Sequence, residues 1–581
     1  MHFQTQPTQS MHTKPNSLSG TTSILHRNRS LHSLVSRRLS LGLGAIIVGW
    51  LVTPTTVVAV PEAHGTIEAY SDSSACMECH GTKQHSDLMA TSHWTWKHTD
   101  PVSGQVLGKK NVINNFCIAI ASNEPRCTSC HVGIGWRDNT FNFNDKSRVD
   151  CLVCHDTTGT YKKTPTAAGA PDPTVNVTLV AQNAGKSSRK TCGACHFYGG
   201  GADAVKHGDL DSTMTNPLRA VDVHMGTDGA NFTCAQCHSN GDTPTNHHDF
   251  HGSNYPTTTP DHELCQKCHT ATPHTSDRLN SHAARVSCQA CHIPAFARGG
   301  KFTKATWDWS TAGNRNPDKT QRIVKDAFGN VTYDSMKGDF AWKDKVVPEY
   351  RWFNGSVTYA TLDTPITAGQ RLTINQLGGS VSDAKARLFP VKRFTGKQPY
   401  DAGTGKLAVP HLFATSTTDL AAYWKSYNWN SALTAGQAAL GRTYSGTMGV
   451  VETEMFWIQN HMVAPKEQAL GCADCHSPGG RISFATLGYT PERAAALQTF
   501  YPVEVVAMEM SSPATGVTLK WTTDVNYFRY QVQSSSDLME WTNEPTGKFT
   551  GGASPQNFVF TDGLTGGAPA KKFYRVVRTT E

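Results

Sequence analysis

The chain has 581 residues, of which 38% are apolar, with a formal net charge of +7 and an isoelectric point near 8.6. This length allows two or three domains, whereas the apolar fraction is low for an interior of that size filled by aliphatic side chains alone. The 17 cysteines and 26 histidines indicate what else fills it, and the modest positive charge predicts no nucleic-acid partner.

The first segment, residues 1–60, has the composition of an export signal. Arginines precede the apolar run LSLGLGAIIVGWLV, and small residues follow it, which predicts cleavage near Ala59 or Ala63. The run is too short for a comfortable membrane span, so no stable span is expected after cleavage; an uncleaved anchor is the alternative. The arginine-rich part is long, and translation from Met11 would shorten it. The segment predicts a bacterial periplasmic protein.

Sixteen of the 17 cysteines fall into eight copies of one pentapeptide, Cys-x-x-Cys-His, and Cys117 alone is left over. Chance gives about 0.02 such copies in a chain of this composition, and the pentapeptide is typical of c-type heme attachment. The copies, called words 1 to 8 in chain order, are Cys76-Cys79-His80, Cys127-Cys130-His131, Cys151-Cys154-His155, Cys192-Cys195-His196, Cys234-Cys237-His238, Cys265-Cys268-His269, Cys288-Cys291-His292 and Cys472-Cys475-His476.

The spacing within a word has a chemical reason. Two cysteines three residues apart on one turn form thioether bonds to the two vinyl groups of one porphyrin, and the histidine that follows reaches the iron from one face. The competing interpretation is structural zinc, which requires thiolates grouped in fours and does not explain a histidine after every second cysteine. Eight covalently bound heme c groups are therefore the predicted cofactors, and their apolar faces replace part of the side-chain core.

The density of cysteines divides the rest of the chain. Residues 61–300 carry words 1 to 7, at spacings that leave little room for separate cores. Residues 301–450 lack cysteine and are rich in Gly, Pro, Asp and aromatics, which predicts loops and short strands. Helical spacing begins at TTDLAAYWKSYNW and continues through residues 451–500, which carry word 8. Residues 503–581 alternate apolar and polar residues, which predicts a small β-sandwich of fibronectin or immunoglobulin type that serves binding or spacing.

The predicted fold is therefore mainly α with extensive loops, packed around eight hemes, followed by an all-β module. Each iron has a second axial position, and its occupant separates an electron-transfer heme from a catalytic one. Fourteen histidines outside the leader and the words are available, enough to close every heme. His64 and His85 suit ordinary surface positions equally well, and His411 either lines a site or packs. The predicted distal ligands are His93 or His98, His207, His224, His248 or His251, His274, His282 and His461.

Five segments around the words are similar to those of one known family. They are INNFCIAIASNEPRCTSCHVGIGW, VDCLVCHDTTGTY, CGACHFYGGGADAVKHGDLD, DVHMGTDGANFTCAQCH and NHMVAPKEQALGCADCH. Together they resemble the octaheme tetrathionate reductase family of periplasmic cytochromes c, over roughly residues 70–490. The resemblance implies that the heme of word 2, held by His131, is the active site, and that seven bis-histidine hemes supply its electrons. It also implies a lysine amine on that iron, matched by Lys206, and a free cysteine nearby, matched by Cys117.

The chemistry of these two residues agrees with such roles. A lysine amine binds iron only when it is neutral, so burial or the iron itself must lower its pKa. A thiol near an iron and a cationic lysine is expected to have a lowered pKa, giving a thiolate that attacks an S–S bond or holds a substrate. The alternatives are Lys206 as an ordinary surface lysine and Cys117 as a small buried apolar side chain.

The leading functional hypothesis is a reductase that delivers electrons at word 2 to a small inorganic sulfur or nitrogen oxo compound: tetrathionate, nitrite or hydroxylamine. Its expected electron donor is a redox partner cytochrome or a quinol-oxidising membrane protein. One alternative is a non-enzymatic electron conduit in which all eight hemes are bis-histidine. Another is a hydroxylamine or hydrazine oxidoreductase working in the oxidative direction, whose cross-linking tyrosine no segment identifies among the 16 tyrosines.

Overall fold

The computed structural model describes residues 62–100, 102–238, 263–367 and 369–498, and in the C-terminal part residues 504–511, 516–523, 529–538, 540–550, 556–563 and 572–579. The predicted leader lies outside the described residues, as do His248 and His251. Within the described ranges, no helix has both the length and the apolar character that a membrane crossing requires.

The part of the chain that carries words 1 to 7 is a succession of short helices joined by turns. Words 1, 3, 4, 5, 6 and 7 each lie at the end of a helix whose last residue is the histidine of the word, because one helical turn brings both cysteines and the histidine to one side. A β-ribbon of His98–Thr99 (β1) and Val106–Leu107 (β2) precedes word 2. The helices are α1 (Ser74–His80), α2 (Lys83–Ala90), α3 (Ser92–Thr95), α4 (Glu124–Cys127), α5 (Leu152–His155), α6 (Val177–Gln182), α7 (Arg189–His196), α8 (Ala235–His238), α9 (Glu263–His269), α10 (Asp277–His282) and α11 (Cys288–His292).

Serine side chains cap the starts of two helices that carry words. In α7, the Ser188 hydroxyl accepts a hydrogen bond from the backbone N–H of Thr191, and the Thr191 hydroxyl accepts one from the backbone N–H of Ser188, which is a reciprocal capping box. In α11, Ser287 accepts from Ala290 in the same way. The caps fix the first turn of each helix and thereby the position of the word that the helix carries.

The cysteine-free region is built around a nine-stranded mixed sheet. Its centre is an antiparallel pair that runs from Val391 opposite Ile458 to Asp401 opposite Met448, with a shorter strand parallel to one side of it. The strands are β3 (Thr303–Asp308), β4 (Ile323–Lys325), β5 (Val331–Asp334), β6 (Gly338–Lys343), β7 (Glu349–Phe353), β9 (Leu372–Thr373), β11 (Arg387–Asp401), β12 (Lys406–Leu407) and β13 (Met448–Ile458), while β8 (Val357–Tyr359) and β10 (Asn375–Leu377) form a separate pair.

This sheet corrects two expectations. The region was expected to hold loops and short strands, whereas β11 spans 15 residues and β13 spans 11. Helical spacing was expected from about residue 417 onward; α12 (Tyr423–Ser426), α13 (Trp429–Ala438), α14 (Cys472–Cys475) and α15 (Pro491–Gln498) agree with it, but β13 does not. The fold is therefore helical around the words and β-rich between words 7 and 8, rather than mainly α throughout.

The main buried core lies against this sheet. It contains Trp307 from β3, Phe394 from β11 and Met455 from β13, together with Phe116 and Val205 from the part of the chain that carries the words. Phe394, Met455 and Val205 are fully buried, so the sheet and the word-bearing segments share one apolar interior.

The C-terminal residues form two antiparallel three-stranded sheets. The first has the order β14 (Glu504–Ser511), β15 (Gly516–Thr523), β18 (Gln556–Gly563), and the second the order β17 (Thr542–Thr550), β16 (Arg529–Ser535), β19 (Phe573–Thr579). Leu519, Trp521 and Phe560 of the first sheet share a buried cluster with Tyr530 and Val532 of the second. This face-to-face packing is that of a β-sandwich.

Candidate functional site

Among the described residues, six words have a second histidine ring that faces the histidine of the word. The ring centroids are 5.8 Å apart for His64 and His80, 6.1 Å for His93 and His196, 6.1 Å for His461 and His238, 6.0 Å for His224 and His269, 6.1 Å for His274 and His292, and 6.2 Å for His282 and His476.

These separations fit an iron between the two rings. An imidazole nitrogen binds such a metal at about 2.0 Å and lies about 1.15 Å from its ring centre, so two rings on opposite faces of one iron have centroids roughly 6.3 Å apart. Aromatic rings that pack face to face or edge to face also reach such distances. Packing alone, however, does not explain why six histidine pairs each contain the histidine of a word. The geometry of the words therefore fits heme c held by two histidines.

The other ring nitrogen supports this fit. The Nδ1 atoms of His155, His476 and His64 lie 2.7, 2.7 and 3.0 Å from the backbone carbonyl oxygens of Gly185, Leu497 and Ala184. A hydrogen bond from Nδ1–H to a carbonyl fixes the tautomer in which Nε2 is free to bind a metal. The zinc interpretation requires clustered thiolates; no group of three or more His, Cys, Asp or Glu in the described ranges could hold a metal ion.

Five of the predicted distal ligands each face the histidine of a word: His93, His224, His274, His282 and His461. His93, rather than His98, faces His196. In the part of the chain that the structure describes, the Nε2 atom of His98 is buried without a hydrogen-bond partner. The ring of His207 lies 5.5 Å from that of Trp457.

The structure also places three histidines whose roles the sequence left open. His64, for which a surface position was equally expected, faces His80; the only signal in the sequence is that it precedes word 1 within the mature region. His85 is buried and bonds Ser73. His411 has both nitrogens occupied, Nδ1 at 2.6 Å from the Ser122 carbonyl and Nε2 at 2.8 Å from Asp419, so it packs the segments together.

Word 2 differs from the six paired words. Its histidine, His131, is fully buried, and its ring contacts no second histidine among the described residues. Nε2 lies 2.6 Å from the Trp94 carbonyl oxygen, and Nδ1 has no hydrogen-bond partner within the described ranges. Burial lowers the pKa of His131 to about 4, so the ring is neutral and one nitrogen can bind a metal. Five aromatic rings surround it at 5.0 to 6.1 Å: Trp94, Trp96, Trp136, Phe141 and Phe143.

Lys206 and Cys117 meet at one loop, which follows α7 and is here called the lysine loop (residues 197–207). Within it, the backbone N–H of Lys206 donates to the Gly199 carbonyl at 3.1 Å. Gly200 and Gly201 have φ of 86° and 91°, values that favour glycine, and they turn the chain back on itself. The Cys117 thiol donates to the Gly200 carbonyl at 3.4 Å, so both sequence-predicted residues belong to one small region.

This region adjoins word 2. The side chain of Cys130 lies close enough to that of Cys195, in the last turn of α7 just before the lysine loop, to lower its own pKa. The charge of Cys117 contributes to raising the pKa of Cys127, the first cysteine of word 2. Word 2, Cys117 and the lysine loop are therefore neighbours.

The pKa values of Lys206 and Cys117 shift in opposite directions. Burial lowers the pKa of Lys206 to about 8, and its Nζ lies 4.5 Å from the ring centre of Trp457, an environment suited to a neutral amine. Burial raises the pKa of the Cys117 thiol, although the positive charges of Lys304 and of more distant cations act in the opposite direction. The expectation of a lowered thiol pKa is therefore wrong for the protein groups alone, because desolvation outweighs the nearby charges.

Lys392 anchors the lysine loop from β11, and sequence reasoning missed it. Its side chain is 1% exposed, and its Nζ donates to the carbonyls of Val205 at 2.8 Å and Lys206 at 3.2 Å and to the hydroxyl of Thr303 at 2.6 Å. Burial lowers its pKa well below the ordinary value. A lysine in a strand more than 180 residues away carries no signal that would link it to this loop.

Comparisons with known proteins agree with this arrangement. The family described as bacterial cytochrome c matches residues 304–479. The crystal structure of octaheme cytochrome c from Shewanella oneidensis is similar at a TM-score of 0.67 and 43% identity, covering 74% of this chain and 97% of that chain. An uncharacterised protein of Archaeoglobus fulgidus is 22% identical over 224 residues, which are 30% of this chain and 74% of that protein.

Proposed function

Because the chain belongs to the octaheme cytochrome c family, we propose that it is an exported bacterial reductase whose active site consists of word 2, Cys117 and Lys206. The substrate is a small inorganic sulfur or nitrogen oxo compound, with tetrathionate, nitrite and hydroxylamine as candidates. Its location is the periplasm, and its electrons come from a partner cytochrome or a quinol-oxidising membrane protein.

One observation carries this proposal: His131 faces aromatic rings where six other word histidines face a second histidine, and a lysine and a free thiol lie beside word 2. A heme closed by two histidines has no position for a substrate, whereas a weaker or exchangeable ligand leaves one. Word 2 is thus the best candidate for the site of chemistry.

Heme c, when bound, supplies one-electron redox chemistry at iron. His131 would hold the heme iron of word 2, and burial keeps its ring neutral. Lys206 would be the second ligand, since its lowered pKa makes a neutral amine accessible near neutral pH. Lys392 holds the backbone on both sides of that ligand.

Thiol contacts between words support a closely packed electron-transfer chain. The side chains of Cys130 and Cys195 lie close together, as do those of Cys192 and Cys234, which brings words 2, 4 and 5 together; those of Cys76 and Cys151 do the same for words 1 and 3. The attachment points of neighbouring hemes are therefore in contact, as a multiheme electron path requires.

The surroundings of Cys117 favour an anion. The charges that act on its thiol are those of Lys304, Lys337, Arg126 and Lys109, all positive. Positive potential in a partly desolvated pocket raises the local concentration of anionic substrates, so nitrite and tetrathionate suit the pocket better than a cation does.

A second candidate function is a non-enzymatic electron conduit. The six histidine pairs favour it, since bis-histidine hemes transfer electrons without binding substrate. The two proposals differ at word 2: the conduit has a second histidine on that iron and does not respond to added nitrite or hydroxylamine.

Two variants test the reductase. Lys206→Ala and Cys117→Ser are expected to lower kcat/KM for at least one of tetrathionate, nitrite and hydroxylamine by about 10–100-fold, the loss of an interaction made at the reacting centre. Lys425→Ala removes an exposed lysine of α12 and is the matched control, expected to match the wild type. If neither active-site variant changed any of the three activities, both assignments would fail.

A further inference from the structure

Lys304 is a buried lysine without an acidic partner, close to the proposed active site. It belongs to β3 and is 4% exposed, yet among the described residues its Nζ makes no hydrogen bond or ion pair. A buried ammonium that no carboxylate approaches within ion-pair distance costs several kcal/mol, of the order measured when one partner of a buried pair is removed. Such a group requires an explanation other than stability.

Aromatic rings enclose the ammonium. Its Nζ lies 3.3 Å from the ring centre of Phe340, 4.2 Å from that of Trp307 and 4.9 Å from that of Trp342. Ring faces attract a cation but do not accept a strong hydrogen bond, so the N–H groups stay available to another ligand.

A backbone irregularity lies at this side chain. The pairing of β3 with β6 shifts register between Lys304 and Thr306, which leaves one unpaired residue, Ala305. Bulges of this kind re-aim side chains and occur frequently beside active sites.

Lys304 adjoins the lysine loop and Cys117. The backbone N–H of Lys304 donates to the Ala204 carbonyl at 3.2 Å, and the hydroxyl of Thr303 donates to the same oxygen at 2.8 Å. The Cys117 thiol bonds Gly200 in the same loop. Among the charged side chains that shift the pKa of the Cys117 thiol, Lys304 has the largest effect.

We propose that Lys304 is the anion-binding residue of the substrate pocket, where its ammonium holds an oxygen of nitrite or of a terminal sulfonate of tetrathionate beside Cys117. The inference rests on the proposed function, which it extends by assigning the substrate class: small oxo anions rather than neutral molecules. An oxo anion supplies both the missing counter-charge and the missing acceptor. The surrounding aromatic rings exclude water, which strengthens the attraction between the Lys304 ammonium and the oxo anion.

The test compares anionic with neutral substrates in the heme-loaded protein. In Lys304→Met, KM for nitrite and for tetrathionate is expected to rise about 10–100-fold, as for a lost charge-assisted hydrogen bond, whereas KM for hydroxylamine, uncharged near neutral pH, is expected to change less than about twofold. Lys304→Arg keeps the charge and is expected to recover most of the nitrite affinity. Lys343→Met removes an exposed lysine of β6 in the adjoining strand and is the control.

A binding measurement separates this inference from the proposed function. Nitrite is titrated into the oxidised wild type, Lys304→Met and Lys343→Met by calorimetry; weakening only in Lys304→Met supports the inference whether or not nitrite is turned over. Equal nitrite affinity in all three proteins, or equal KM changes for nitrite and hydroxylamine, would overturn it. If Lys304→Met does not load its hemes, Lys304→Gln provides the same comparison. A wild type that reduces none of the three compounds contradicts the proposed function alone.

Discussion

The ammonium of Lys392 lies 3.2 Å from the carbonyl oxygen of Lys206. This contact joins the longest strand of the central sheet to the loop that carries the proposed iron ligand. The same ammonium reaches Val205 and Thr303, so one buried side chain holds both the lysine loop and the start of β3, where Lys304 lies. The sheet between words 7 and 8 thus positions a site formed largely by residues that precede it in the chain.

Replacing this anchor should destabilise the site without touching the substrate. Lys392→Met leaves two carbonyls and a hydroxyl without their donor, and we expect a loss of about 2–4 kcal/mol in the free energy of unfolding. Chemical denaturation followed by tryptophan fluorescence measures the loss, with the exposed Lys425→Met as control. A variant as stable as the wild type would show that the three hydrogen bonds contribute nothing net.

Asp209 is expected to lower the midpoint potential of one heme. Its Oδ2 accepts hydrogen bonds from the backbone N–H groups of Asn460 at 2.7 Å and His461 at 2.8 Å, and lies 3.1 Å from Nδ1 of His461. Burial acts to raise the pKa of Asp209, but the bonds from His461 hold it at about 2, so the group is a carboxylate. A carboxylate on Nδ1 makes the imidazole a stronger donor to a metal and favours the oxidised iron.

The expected result of Asp209→Asn is a rise in the midpoint potential of one heme of the eight, by roughly 60 mV, which is a tenfold change for a one-electron couple. Spectroscopic redox titration resolves it, and Asp318→Asn, an exposed carboxylate, is the control. Unchanged potentials at all eight hemes would show that Asp209 serves only to order the backbone at residues 460 and 461.

The pH dependence of nitrite binding should follow Lys304. Burial lowers the pKa of Lys304 to about 7; the charges of Cys117 and Asp334 raise it, and that of Lys337 lowers it. The ammonium that attracts an anion prevails below this pKa and is lost above it. KM for nitrite is therefore expected to rise between about pH 6 and about pH 9 in the wild type, and to rise less in Lys304→Arg, whose guanidinium stays charged throughout. Identical pH profiles in the two proteins would contradict the role of Lys304.

The words themselves could be found from the sequence, because their spacing is local. The partners of the words could be found only in part: His93, His224, His274, His282 and His461 were predicted as ligands, but their pairing depends on how distant segments fold together. His64 was missed for that reason. Lys392 and Lys304 carried no sequence signal, since a lysine in a strand is ordinary until the tertiary structure places it beside the lysine loop.

The fold was predicted less well between words 7 and 8. Pro390, Gly396 and Pro399 lie inside β11, and such residues usually mark turns or strand ends. Pairing with β7 at Pro390 and with β13 at Gly396 and Pro399, together with burial along most of the strand, overrides that local preference. Tertiary pairing of this kind is invisible to local periodicity, which explains why loops and short strands were expected there.

The most direct test of the account is the electron paramagnetic resonance spectrum of the oxidised, heme-loaded protein, recorded for the wild type and for Lys206→Ala. One heme of the wild type is expected to show histidine–amine ligation, and Lys206→Ala is expected to convert this component into an open, high-spin heme that binds nitrite. A wild-type spectrum of low-spin bis-histidine hemes only, unchanged in Lys206→Ala and unresponsive to nitrite, would contradict it.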